Sequence, residues 1–255
     1  MDMILSNLNS ELTATEWAIF FICALLVGLA KSGLKGIGLA TIPIMAGIFG
    51  ARASTGVLLP ILIMADAMAV VYYRRHVEWR FIILLLPWVA AGIIIALITG
   101  NMINENQFRI VLTTMVIIML VLMILGDIRK NRQTKVPDNH IFAGLMGIAG
   151  GFATMIGNSA GPVFTLYFLS MKLPKKEFIG TGAWLFLIVN IFKVPLHIFS
   201  WETISIESAR LSLITLPVIA AGILTGIYLV RLFPEKVYRY FVIIATIAST
   251  FFLFI

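Results

Sequence analysis

The chain has 255 residues, of which 60% are hydrophobic and only 12% charged, with a mean hydropathy of +1.03. So little polar surface excludes a water-soluble domain and predicts an all-α polytopic membrane protein. The net charge of +7 does not point to nucleic acid, because the basic residues sit in short loops between apolar stretches, where they set topology.

A β-barrel is excluded by runs such as Phe81 to Leu86, which do not alternate. Residues 1–16 carry no Lys or Arg ahead of the first apolar run, which argues against a cleaved signal peptide. The first apolar stretch, 17–50, would make one helix of about 50 Å, too long for a single span and slightly short for two. It reads as a broken or re-entrant hairpin of two short helices, with the glycine-rich run Gly28 to Gly38 at its tip and Pro43 beyond. Gly33, Gly36 and Gly38 are the backbone positions of that tip. Lys31 and Lys35 flank it four residues apart. Held away from water, they would face a cavity and, with helix N-termini, bind a small oxyanion. If the tip reaches the far interface, both would snorkel to water instead.

Three ordinary spans follow at about 53–73, 80–100 and 107–126. Asp66 lies inside the first. A buried carboxylate there is a possible proton carrier, or the fixed counter-charge of Lys31, Lys35 or Lys193, or a solvated acid. After a linker at 127–140 the pattern repeats with a second hairpin at 141–170. Gly157 and Gly161 break it, with Pro162 beyond. Asn158 and Ser159 stand between them, either to bind substrate oxygens or to cap the broken helix. The span 178–199 carries Asn190, Lys193 and His197 on one helix face, with Pro195 freeing a carbonyl nearby. That stripe reads as substrate-binding, against a lysine that merely snorkels outward. Spans at 208–231 and 236–255 complete the chain.

The two halves match at helix-breaking and neighbouring positions, with Lys31 and Lys35 of the first standing opposite Gly150 and Thr154 of the second. Gly28, Gly38 and Pro43 align with Gly147, Gly157 and Pro162 at an offset of 119. Pro87, Gly92, Glu105 and Arg109 align with Pro217, Gly222, Glu235 and Arg239 at an offset of 130. This divides the chain into a first repeat, 1–126, a cytoplasmic linker, 127–140, and a second repeat, 141–255, with about ten helical segments. Each half crosses the membrane three times net, so the repeats should be inverted. With the linker inside, thirteen of the nineteen Lys and Arg residues fall in cytoplasmic loops, and both termini lie outside.

The two hairpins, Gly28 through Pro43 and Gly144 through Pro162, together with Thr181-Gly182 leading to Asn190 and Lys193, resemble the TauE/SafE sulfite exporter family of bacterial and archaeal membrane proteins. The resemblance covers nearly the whole chain. It implies transport of sulfite, an organosulfonate or another small organic anion across the cytoplasmic membrane.

The expected function is therefore a secondary transporter of a small anion, an exporter on the resemblance and with proton linkage through Asp66 in view. A passive anion channel is the alternative. Paired carboxylates, a nucleophile with its base and a cofactor motif are all missing, so an enzyme is not expected, and no cofactor is called for. Cys23 is the only cysteine and His76, His140 and His197 lie far apart, so no metal site is expected. The expected partners are the anion, the lipid bilayer, protons and, as an option, a second copy in a homodimer.

Overall fold

The computed structural model describes residues 12–34, 37–129, 140–171 and 173–232. Ten α-helices occupy them: α1 (Ala14–Lys31), α2 (Thr41–Phe49), α3 (Ala51–Tyr73), α4 (Trp79–Met102), α5 (Glu105–Arg129), α6 (His140–Gly157), α7 (Gly161–Ser170), α8 (Lys175–Phe199), α9 (Ile206–Ile214) and α10 (Leu216–Leu232). A 3₁₀ turn, Ile37–Ala40, leads into α2. The last expected span, 236–255, and most of the linker, 130–139, lie outside the described residues.

Local chemistry sets the breaks. Thr13 and Glu16 form a capping box that starts α1, the Glu16 carboxylate accepting the Thr13 N–H at 2.8 Å. Gly33 and Gly50 take positive φ, 125° and 86°, at the end of the first arm and between α2 and α3. Asn158, at φ 54°, performs the same turn between α6 and α7.

Two expectations are corrected in detail. The hairpin arms are unequal: α1 and α6 have 18 residues each and are long enough to cross a membrane, whereas α2 and α7 have only nine and ten. The span 208–231 is two helices, α9 and α10, bent by 47°. Pro217 has no N–H to continue the ladder from α9, and it is tolerated at the start of α10. Five helices, α1, α3, α4, α6 and α8, are each long and apolar enough to span, and the bent pair makes a sixth. The protein is a multi-pass membrane protein.

Its packing recurs between the halves. α1 lies along α10, and α4 lies along α6, while α3 and α8 cross each other. Both lengthwise contacts are glycine-lined. A Cβ on Gly28 would overlap the Ile219 carbonyl, and one on Gly151 the Val89 carbonyl. One on Gly222 would overlap the Leu25 carbonyl, and one on Gly92 the Ile148 carbonyl. Such close backbone approach is how helices associate where lipid removes the hydrophobic driving force. Residues 25 and 28 thus answer to 148 and 151, an offset of 123 for the first arms rather than 119, while 89 and 92 keep their offset of 130 to 219 and 222. The structural register is one helical turn away from the alignment of the glycines.

Candidate functional site

α3 and α8 cross where each carries polar residues on an otherwise apolar helix. Asp66 of α3 is fully buried and meets Lys31 of α1, with Lys31 Nζ 2.8 Å from Asp66 Oδ1. Asn190 of α8 donates its side-chain N–H to the other carboxylate oxygen at 2.8 Å. The Lys31 side chain keeps 14% of its surface exposed, and its ammonium lies 4.1 Å from the centre of the Phe186 ring. A cation–π contact of this kind adds to the ion pair. Nearby, Tyr73 donates to the Ser32 carbonyl at 3.2 Å, tying α3 to the end of α1.

One turn along α8, Lys193 is fully buried. Its ammonium donates to the Thr154 carbonyl at 2.9 Å, to Thr154 Oγ1 at 3.1 Å and to Asn158 Oδ1 at 2.6 Å. An ammonium has three protons, and three neutral oxygens take them all. Among the described residues no carboxylate touches Lys193. Asn158 also donates to the Thr55 carbonyl at 3.2 Å, so the break in the second hairpin is pinned to both α3 and α8. One more turn along, buried His197 shares a 2.8 Å hydrogen bond between Nδ1 and Thr203 Oγ1.

The site residues expected from sequence divide clearly. Lys31, Asp66 and Asn190 form one cluster, and Lys193 and Asn158 form its neighbour. Ser159 is buried, but its hydroxyl donates to the Ala153 carbonyl at 3.1 Å, so it serves its own hairpin. Lys35 and Gly36 lie outside the described residues. Gly33 is buried in left-handed backbone, with Ile179 Cδ1 only 3.0 Å from where a Cβ would stand. Gly38 sits in the 3₁₀ turn, and Gly157 ends α6 against Leu112, where a Cβ would clash. Gly161 has open space around it and no close approach to explain it. Among the described residues no group of His, Cys, Asp and Glu could hold a metal ion.

Sequence reasoning missed Thr154, Thr55 and Phe186. In the structural register Thr154 occupies the place of Lys31, at the same 123-residue offset, and Asn190 occupies that of Asp66 at 124. Where the first half has a lysine and a carboxylate that pair with each other, the second has uncharged Thr154 and Asn190, which bond Lys193 and Asp66 instead. The glycine alignment hid this by setting Thr154 opposite Lys35.

The family described as Sulfite exporter TauE/SafE matches residues 20–253. Neither a curated protein nor a solved structure gives a significant match.

Proposed function

We propose that this chain, which belongs to the Sulfite exporter TauE/SafE family of membrane transporters, carries a small oxyanion across the cytoplasmic membrane at Lys193. The observation that supports this reading is a fully buried ammonium whose partners are all neutral. A lysine inside a membrane protein costs a few kcal/mol on insertion scales. Lys31 offsets that cost with Asp66, whereas Lys193 would offset it only when an anion is bound. Sulfite, an organosulfonate or a carboxylate would serve.

Between turnovers the Thr154 and Asn158 oxygens hold the ammonium. An incoming oxyanion would displace the Asn158 amide and Thr154 Oγ1, leaving the Thr154 carbonyl as the anchor. Asn158 also holds Thr55, so its release would loosen the second hairpin from α3. Anion binding would thereby favour movement of one half against the other, which is how inverted repeats alternate access. The two repeats, 1–126 and 141–255, would lie inverted with both termini outside.

In this scheme Asp66 is the standing counter-charge of Lys31 rather than a proton carrier. Export of an anion then needs no coupled proton, because an inside-negative potential favours anion exit by about 2.3 kcal/mol per charge per 100 mV.

The test is Lys193→Met, which keeps the length of the side chain and removes its charge. Removing the buried charge removes its desolvation cost, which offsets Thr154 Oγ1 and Asn158 Oδ1 each losing a donor at about 1–3 kcal/mol, while the Thr154 carbonyl keeps the Asn158 N–H. The expected change in stability is therefore modest. Sulfite flux in proteoliposomes should fall about 10- to 100-fold, by loss of a charge-assisted contact worth about 1.5–3 kcal/mol, and sulfite should raise the melting temperature less than it does in the unaltered protein. A folded Lys193→Met protein that transports sulfite normally would remove Lys193 from the site. Flux that never saturates with concentration would replace the carrier with a channel.

A further inference from the structure

Beyond Lys193, α8 continues through His197, and Trp201 follows one turn later in the loop after it. Three buried nitrogens around Trp201 have no hydrogen-bond partner: His197 Nε2, Trp201 Nε1 and Arg52 Nε. His197 and Trp201 are 0% and 1% exposed. Native interiors rarely leave such groups unmet.

Their geometry draws them to one place. The His197 ring meets the Trp201 ring edge-on with centroids 5.2 Å apart. The Arg52 guanidinium lies 6.0 Å from the Trp201 ring centre and 5.1 Å from that of Phe108. One arm of the guanidinium is already fixed, Nη2 donating to the Gly100 and Ile103 carbonyls at 2.7 and 2.8 Å. The indole nitrogen would lie 3.2 Å from a Cβ on that same Gly100, where the tryptophan ring packs too close to the backbone to leave room for a side chain. Among the described residues no carboxylate pairs with the guanidinium. Glu105 instead accepts the Arg52 backbone N–H at 3.1 Å and caps the start of α3.

We propose that Arg52, Trp201 and His197 form a second, outer station for a small oxyanion, one step along the path from Lys193. Arg52 supplies the charge, and Nε–H, the indole N–H and imidazole Nε2–H supply the directed donors. The imidazole contributes a donor when the Thr203 hydroxyl donates to Nδ1. Lys193, His197 and Trp201 then form a ladder of N–H groups at four-residue spacing. The inference rests on the reading of the chain as an anion carrier, and its test is separable from that of Lys193.

The full chain, labelled with ¹⁵N-tryptophan in lipid nanodiscs, is titrated with sulfite at constant ionic strength. Trp201→Phe assigns the indole signal. A saturable shift of the Trp201 indole N–H is expected, kept in Lys193→Met and weakened roughly tenfold in Arg52→Gln. Arg52 also ties α3 to the end of α4, so its loss can harm folding. Trp201→Phe removes the N–H together with the pyrrole part of the ring but leaves the Arg52 bonds to α4 in place, and a severalfold rise of the transport KM for sulfite in that variant is the second readout. An unmoved Trp201 signal, while sulfite still raises the melting temperature, overturns the outer station and leaves the carrier reading intact. A shift that disappears in Lys193→Met also overturns it, because the signal would then come from the inner site. If sulfite neither shifts the signal nor stabilises the protein, both readings fall together.

Discussion

Lys31 and Lys193 sit on apolar helices, but the first is answered by a carboxylate and the second by uncharged oxygens. The backbone around them is repeated: first arms pack on glycine-lined partners in both halves, and Asp66 and Asn190 take matching places where α3 crosses α8. Only the side chains differ. One arrangement is electrically complete within the protein, and the other, on the proposed function, would become complete when a ligand brings the missing charge. A duplicated fold thus holds an ion pair and a lysine without a carboxylate partner about one helical turn apart on α8, and a protein with two identical halves could not separate the two.

The sharpest way to break this comparison is to remove the charge that completes the first site. In Asp66→Asn the Asn190 contact can persist, but Lys31 loses its ion pair. Breaking a buried pair costs about 3–5 kcal/mol, and the low end is expected because Lys31 is 14% exposed and can turn toward water. Lys31→Met in the same background should restore most of the stability, measured by thermal unfolding. If Asp66 carries a proton instead, Asp66→Asn should fold well, and its flux should no longer respond to a pH gradient.

The converse experiment rebuilds the first site in the second half. Thr154→Asp places a carboxylate where Oγ1 now lies, 3.1 Å from Lys193 Nζ. The new charge would satisfy Lys193 permanently and compete with the substrate. Sulfite affinity should drop roughly 10- to 100-fold with the fold retained, since opposite charges in contact are worth about 1–3 kcal/mol when partly desolvated. Unchanged sulfite binding, read as the concentration giving half-maximal thermal stabilisation, would show that the anion sits elsewhere.

Much of this was legible in the residues. Helix-breaking glycines and prolines marked both hairpins, and the stripe Asn190, Lys193, His197 landed on the buried face of α8 as its spacing required. The arm lengths and the Pro217 bend were not legible. A proline inside a helix is tolerated at Pro87 and accompanies a break at Pro217, and only the neighbouring packing decides between them. Thr154, one of the two residues that hold Lys193, was missed for a related reason, although Asn158 was not. Glycines align on sequence, but packing set the first arms one turn away, which exchanged the counterpart of Lys31 from Gly150 to Thr154. Arg52 carried no signal of its own, because nothing in sequence places Phe108 and Trp201 beside it.

The smallest effect on sulfite binding is also the most discriminating. Asn158 stands at φ 54°, so an alanine would add left-handed strain to the loss of its amide. Asn158→Gly keeps the backbone at ease and removes only the bonds to Lys193 and to the Thr55 carbonyl. Stability should fall by about 2–3 kcal/mol, for one neutral hydrogen bond and one to a charged donor. Sulfite binding should then tighten severalfold, because Lys193 has one fewer internal acceptor to give up before it can take the anion. If the Asn158 amide contacts the substrate directly, the sign reverses and affinity falls. Thermal unfolding with and without sulfite measures both quantities on one sample, and the direction of the second decides whether Asn158 competes with the anion for Lys193 or helps to hold it.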